Sequence, residues 1–105
     1  MKYLIKDTQL RTIIFEVLNT NDYYILEDDG DYYFFESEDS WRNRGYALMA
    51  YRRHGKELFV SSDVLRVIAG YFSLSLEESI FIISLWVESK LGLEISYSYS
   101  DYGAD

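Results

Sequence analysis

The stretch YYILEDDGDYYFF, residues 23–35, decides how this chain folds. Two runs of aromatic and β-branched residues flank Asp28-Asp29-Gly30. Asp-Gly in this setting is a strong hairpin signal, because both central positions of the tight turn take positive φ. We therefore predict a β-hairpin with strands at Tyr23–Glu27 and Asp31–Phe35.

A second hairpin follows an irregular polar stretch, residues 36–44. Tyr46–Arg52 and Glu57–Val60 have the composition of strands, and residues 53–56 supply the turn between them. Together the two hairpins predict a four-stranded antiparallel sheet, which needs a helical layer over one of its faces.

Two helices that can contribute to this layer have simple apolar stripes. The first is predicted from a cap at Asp7 to Leu18, with apolar residues at positions 10, 13, 14, 17 and 18. The second begins at a cap supplied by Ser62 or Asp63 and ends at Phe72.

The last helix has the clearest boundaries and an unusual surface. Ser75 and Glu78 have the spacing of a capping box, and Gly92 stands where a left-handed cap ends a helix at Leu91. Apolar residues cover more than half of its circumference, which indicates either the central helix of the domain or a helix covered by a second chain. In the second case a homodimer contact would involve Phe81, Leu85 and Trp86.

The predicted class is α+β, as one domain of residues 1–105. It has an N-terminal helix, the sheet of two hairpins and a C-terminal helix pair packed on the sheet. Leu93–Ile95 is a candidate final strand; residues 96–102 alternate as a strand does but are polar enough that a frayed tail, residues 97–105, is expected. The chain contains no cysteine, and no apolar run approaches the roughly 20 residues of a membrane span, so a cytoplasmic location is expected.

Catalytic chemistry finds little support in the sequence. His54 is the single histidine and lies in a predicted turn, where a solvated side chain is the expected state. No nucleophile, phosphate-loop or zinc motif accompanies it. The acids around Gly30 are adjacent in sequence, whereas calcium loops space their ligands alternately. We expect a protein that is not an enzyme, without catalytic residues, cofactor or metal.

Charge is distributed in blocks rather than evenly. Residues 22–39 hold eight acids and no Lys or Arg, and residues 40–56 hold five basic residues and no acid, within a net charge of −8. Three hypotheses follow. In the first, the blocks only solvate the sheet or face each other across it, with little effect on stability.

In the second hypothesis, the acidic hairpin docks on a basic protein surface that normally holds nucleic acid, so the protein acts as an inhibitor or nucleic-acid mimic. Interleaved tyrosines would anchor the contact. The candidate residues are Tyr24, Glu27, Asp28, Asp29, Asp31, Tyr33, Glu36, Glu38 and Asp39.

In the third hypothesis, the basic segment binds a phosphate backbone, with arginines next to aromatic residues as in single-strand binders. The acidic balance of the chain disfavours this alternative. Its candidate residues are Arg42, Arg44, Arg52, Arg53 and Lys56.

The segment YFSLSLEESIFIISLWVESKLGLEI, Tyr71–Ile95, resembles the C-terminal helix pair of small accessory proteins encoded by tailed phages. In both, a helix, a capped Ser-x-x-Glu turn and a Trp-containing helix follow one another. The resemblance covers about a quarter of the chain and implies a viral protein in the host cytoplasm. It also implies a partner that is a host nucleic-acid-binding enzyme, such as a restriction or CRISPR nuclease, and it favours the inhibitor hypothesis.

Overall fold

The structure is a computed structural model that describes residues 3–100, with side chains described from residue 9 to residue 100. Within this part the chain forms four helices and five strands. In chain order they are α1 (Tyr3–Thr20), β1 (Tyr24–Asp28), β2 (Asp31–Phe35), α2 (Glu38–Arg42), β3 (Met49–Arg52), β4 (Glu57–Val60), α3 (Ser62–Phe72), α4 (Leu76–Leu91) and β5 (Tyr97–Tyr99).

The α+β class and both hairpins are confirmed. Strands β1 to β4 pair antiparallel in chain order. Asp29 and Gly30 form the first turn with φ of 55° and 91°, the positive values that a two-residue hairpin turn requires. A Cβ at Gly30 would lie 2.6 Å from Cδ of Arg53, so the exposed Arg53 side chain would have to shift.

The prediction of four antiparallel strands is wrong in detail, because β5 adds a fifth strand parallel to β4. A parallel neighbour requires a long crossover, which α3 and α4 provide. The Ser96 N–H donates to the Lys56 carbonyl at 2.8 Å, and the hydroxyls of Ser84 and Ser98 share a hydrogen bond between α4 and β5.

The predicted strand at Leu93–Ile95 is wrong, since this segment connects α4 to β5. Its last N–H, that of Ile95, donates to the Glu88 carboxylate at 2.8 Å instead of to a strand. The expectation that the tail frays is wrong for residues 97–99, because they form β5. Residues 101–105 lie outside the described residues.

Several boundaries before α4 differ from the predictions; α1 ends at Thr20 rather than at Leu18, and β1 spans Tyr24–Asp28 rather than Tyr23–Glu27. Helix α1 begins at Tyr3, so Asp7 lies inside the helix rather than at its cap; no glycine or proline in residues 3–6 interrupts it. Strand β3 begins at Met49 rather than at Tyr46, which is 87% exposed. The cap of α3 is Ser61, whose hydroxyl accepts the Val64 N–H at 3.2 Å.

Helix α2 was not predicted, although its sequence carries a helix signal. Ser37 accepts the Ser40 N–H at 3.1 Å, Glu38 and Asp39 occupy the first turn, and Arg42 occupies the last. Acids at the start and a base at the end both favour a helix through its dipole.

Helix α4 is confirmed at both ends and is the central helix of the structure. The Ser75–Glu78 capping box is formed, and Gly92 takes a φ of 70°. Ile83, Trp86 and Val87 are at most 2% exposed. The prediction of Trp86 as an oligomer contact is therefore wrong, because its side chain packs in the core of its own chain. Of the other two predicted contacts, Leu85 is half-buried and Phe81 is 57% exposed.

The core lies between the long helices and one face of the sheet, which we call the inner face. Its buried strand residues are Phe34, Met49, Tyr51, Leu58 and Val60. Among the described residues no single helix is long and apolar enough to cross a membrane. Helices α3 and α4 reach the length and apolar composition of a span only when taken together, and they are bent by 106° at the break between them.

Candidate docking surface

The outer face of the sheet is the one opposite the core, and it is rich in aromatic residues. Because side chains alternate along a strand, the residues between the buried inner-face positions point outward. The register places them in three rows: Tyr24 and Phe35; Leu26, Tyr33, Ala50, Phe59 and Tyr99; and Asp28, Asp31, Arg52, Glu57 and Tyr97. Aromatic side chains thus occupy the middle of this face and charges one end.

Contacts on the outer face hold several of these rings in place. Phe59 and Tyr99 stack with centroids 5.1 Å apart. Ala50, between Tyr33 and Phe59 in the register, is only 2% exposed because larger neighbours shield it. Tyr97 and Tyr99 remain 61% and 41% exposed. The face therefore offers ordered aromatic surface, whose loss of entropy on binding is small.

Helix α2 lies at the end of the outer face where β1 begins. The Trp41 ring stacks on Tyr24 with centroids 5.5 Å apart, and the Arg42 guanidinium lies 5.8 Å from the Trp41 centroid. Arg42 also forms an ion pair with Glu38 at 2.7 Å. This arrangement extends the aromatic surface beyond the strands.

The two hairpin turns meet at the opposite end of the sheet. Asp31 accepts the backbone N–H of Arg53 at 2.8 Å and lies 3.6 Å from the Arg52 guanidinium. These contacts fix the start of β2 to the turn between β3 and β4. Asp31, one of the predicted docking residues, thus has a structural role.

We expect Asp31→Ala to lower the free energy of unfolding by about 1–2 kcal/mol, because it leaves the Arg53 N–H without this acceptor. Asp28 is the matched control: it faces Asp31 across the hairpin, and like charges in that position repel. Asp28→Ala should therefore leave stability unchanged or slightly raised in urea denaturation. Equal losses in the two variants would contradict this role of Asp31.

Ion pairing removes much of the predicted positive block and little of the negative one. Arg42, Arg52 and Lys56 pair with Glu38, Asp31 and Glu94. Among the described side chains, the remaining members of the positive block, Arg44 and Arg53, form no ion pair, and neither do the remaining six acids of residues 22–39. Those six acids are Asp22, Glu27, Asp28, Asp29, Glu36 and Asp39.

The predicted acidic residues do not form one cluster. Asp28 and Asp29 lie at the hairpin turn, and Glu27 is exposed on β1 with its side chain on the inner side. Asp39 lies on α2, at the other end of the sheet. Asp28, Asp29 and Asp39 therefore flank the two ends of the aromatic face rather than covering it.

Glu36 points away from the outer face, toward a cleft of 560 Å³ between α1 and α3. Tyr23 lines the same cleft and accepts a hydrogen bond from Asn21 Nδ2 at 3.0 Å. Burial raises the pKa of the Tyr23 phenol above its usual range, and the bond from Asn21 partly offsets this shift. The phenol is thus neutral at physiological pH.

The predicted basic residues fall into two groups at opposite ends of the sheet. Arg42 and Arg44 belong to α2 and its end, whereas Arg52, Arg53 and Lys56 surround the second turn. A strand of five residues separates the ends by roughly 15 Å. The structure does not unite them into one basic patch.

The structure adds no cluster typical of a catalytic or metal centre among the described residues. His54 is exposed in its turn, and no three His, Asp or Glu side chains come together to hold a metal ion. Comparison of the chain with known protein families, curated proteins and solved structures finds no match. The site is therefore interpreted from its geometry alone.

Proposed function

We propose that this chain is a non-catalytic protein-binding protein that docks the outer face of its sheet and its acidic hairpin on a basic surface of another protein. One observation carries the proposal: among the described side chains, the acids Asp28, Asp29 and Asp39 have no ion-pair partner and flank the ends of an aromatic face that the three long helices leave uncovered.

Each part of this surface has a separate effect on binding. The carboxylates accelerate encounter with a positively charged partner and repel acidic ones. The tyrosines supply most of the affinity, because large ordered aromatic side chains are the usual hot spots of interfaces. A basic surface of this kind commonly holds nucleic acid, so the bound protein would act as a competitive inhibitor or nucleic-acid mimic.

The proposal is tested by capture from a lysate of the native host on immobilised protein. The double variant Asp28→Lys/Asp29→Lys reverses two exposed acids at the hairpin turn, neither of which is ion-paired to a described side chain. The matched control, Glu16→Lys/Glu77→Lys, reverses two exposed acids on α1 and α4, so the net charge is the same in both.

We expect the wild type and the control to retain the same partner and the hairpin variant to lose it, with circular dichroism showing all three folded. Capture of that partner by the hairpin variant at the wild-type level would refute the proposed surface. Equal loss in both variants would show that net charge, and not this surface, determines binding.

A further inference from the structure

Strand β1 is an open edge of the sheet. In the described part of the chain it pairs with β2 alone, and the sheet order ends at β1 on this side. An edge strand presents a row of unpaired backbone N–H and C=O groups, which another chain can extend by adding a strand. At five residues, β1 has the length of a typical strand.

The register identifies which backbone groups of β1 point outward. Asp28 and Asp31 flank the two-residue turn, so they form a hydrogen-bonded pair, and bonded and non-bonded pairs alternate from there. Glu27 opposite Tyr32 is consequently a non-bonded pair, as is Ile25 opposite Phe34. The N–H and C=O groups of Glu27 and Ile25 therefore point away from β2.

The side chains of β1 define what kind of strand fits beside it. Its first three residues, Tyr24 to Leu26, are apolar and its last two, Glu27 and Asp28, are acidic. A second copy of β1 fits poorly. If the two copies paired in parallel, acids would lie beside acids, and if they paired antiparallel, acids would lie beside apolar residues. The charges thus prevent self-pairing, as edge charges commonly do.

We infer that β1 accepts an extended segment of the basic partner as a sixth, antiparallel strand. This inference rests on the proposed function and specifies its partner. In the antiparallel direction the added strand begins beside Asp28 and ends beside Tyr24. It carries two basic residues first and three apolar or β-branched residues after them.

The test uses a capped ten-residue peptide that contains Lys-Arg-Val-Ile-Val, with a scrambled peptide of the same composition as control, both titrated by calorimetry. We expect the ordered peptide to bind the wild type at least about tenfold more tightly than the scrambled one, a factor that corresponds to roughly 1.4 kcal/mol. Equal affinities would overturn the inference.

Two variants of one residue separate backbone pairing from charge. Glu27→Gln and Glu27→Pro both remove the carboxylate, but only proline removes the outward N–H, and it takes no hydrogen bond from the existing ladder. We expect Glu27→Pro to bind the ordered peptide about tenfold more weakly than Glu27→Gln. Equal binding by the two variants would overturn strand addition.

A measurement on the wild type keeps the test independent of whether the proline variant folds. On saturation with the ordered peptide, the amides of Ile25 and Glu27 should gain protection from hydrogen exchange, while that of Leu26, already bonded to β2, should not. Unchanged exchange at Ile25 and Glu27 would overturn the inference. If the charge reversal abolishes capture of the partner but Glu27→Pro and Glu27→Gln capture it equally, the proposed docking surface is retained. Only the inference of an added strand is then overturned.

Discussion

Replacing Trp86 by alanine is expected to lower the free energy of unfolding by about 3–5 kcal/mol, a large part of the 5–15 kcal/mol typical of a domain. The side chain is 2% exposed and contacts the rings of Tyr23 and Phe34 at centroid distances of 5.8 and 5.9 Å. Its indole N–H donates to Asn19 Oδ1 at 3.0 Å, which ties α4 to the end of α1. Urea denaturation followed by circular dichroism measures the loss.

Phe81 on the same helix provides the matched control. Because it is 57% exposed, Phe81→Ala should cost less than about 1 kcal/mol in the same experiment. A loss at Phe81 as large as that at Trp86 would contradict the assignment of Phe81 to the surface. A dependence of that loss on protein concentration would then show that a second copy of the chain covers it.

Replacing Tyr33 by alanine is expected to weaken binding of the captured partner roughly 30-fold, the effect of a hot-spot tyrosine worth about 2 kcal/mol. Tyr33 stands in the middle row of the outer face, between Leu26 and Ala50 in the register. Its central position is where interface energy concentrates, whereas residues at the rim contribute little.

Tyr71→Ala is the control for the loss of a surface tyrosine. Tyr71 lies on α3, away from the outer face, and is 74% exposed. We expect its replacement to leave partner affinity within about twofold of the wild type, measured by calorimetry or surface plasmon resonance. If Tyr71→Ala weakens binding and Tyr33→Ala does not, the partner binds the helical side.

Elements whose signals are local were predictable from the sequence. The Asp29-Gly30 turn and the Ser75–Glu78 capping box each depend on residues a few positions apart, and both are formed. Strand β5 depends instead on the crossover through α3 and α4, because the polar residues 97–99 pair only where β4 presents its free edge. The strand-like alternation of this segment does not reveal which strand it pairs with.

The candidate surface was partly predictable for the same reason. Blocks of charge are visible in the sequence, but which charges neutralise each other depends on strand register. Asp31 meets Arg52 because β2 and β3 pair with Tyr32 opposite Tyr51. The outer aromatic face likewise required knowing which side of the sheet the long helices cover.

The central claim, that the partner binds the outer face and the acidic hairpin, is tested most directly by an amide chemical-shift map of the ¹⁵N-labelled chain with and without the captured partner. The account predicts the largest changes in residues 24–33 and 97–99, with α3 little affected. Changes centred on Val67 and Tyr71 of α3, with β1 and β2 unchanged, would contradict it.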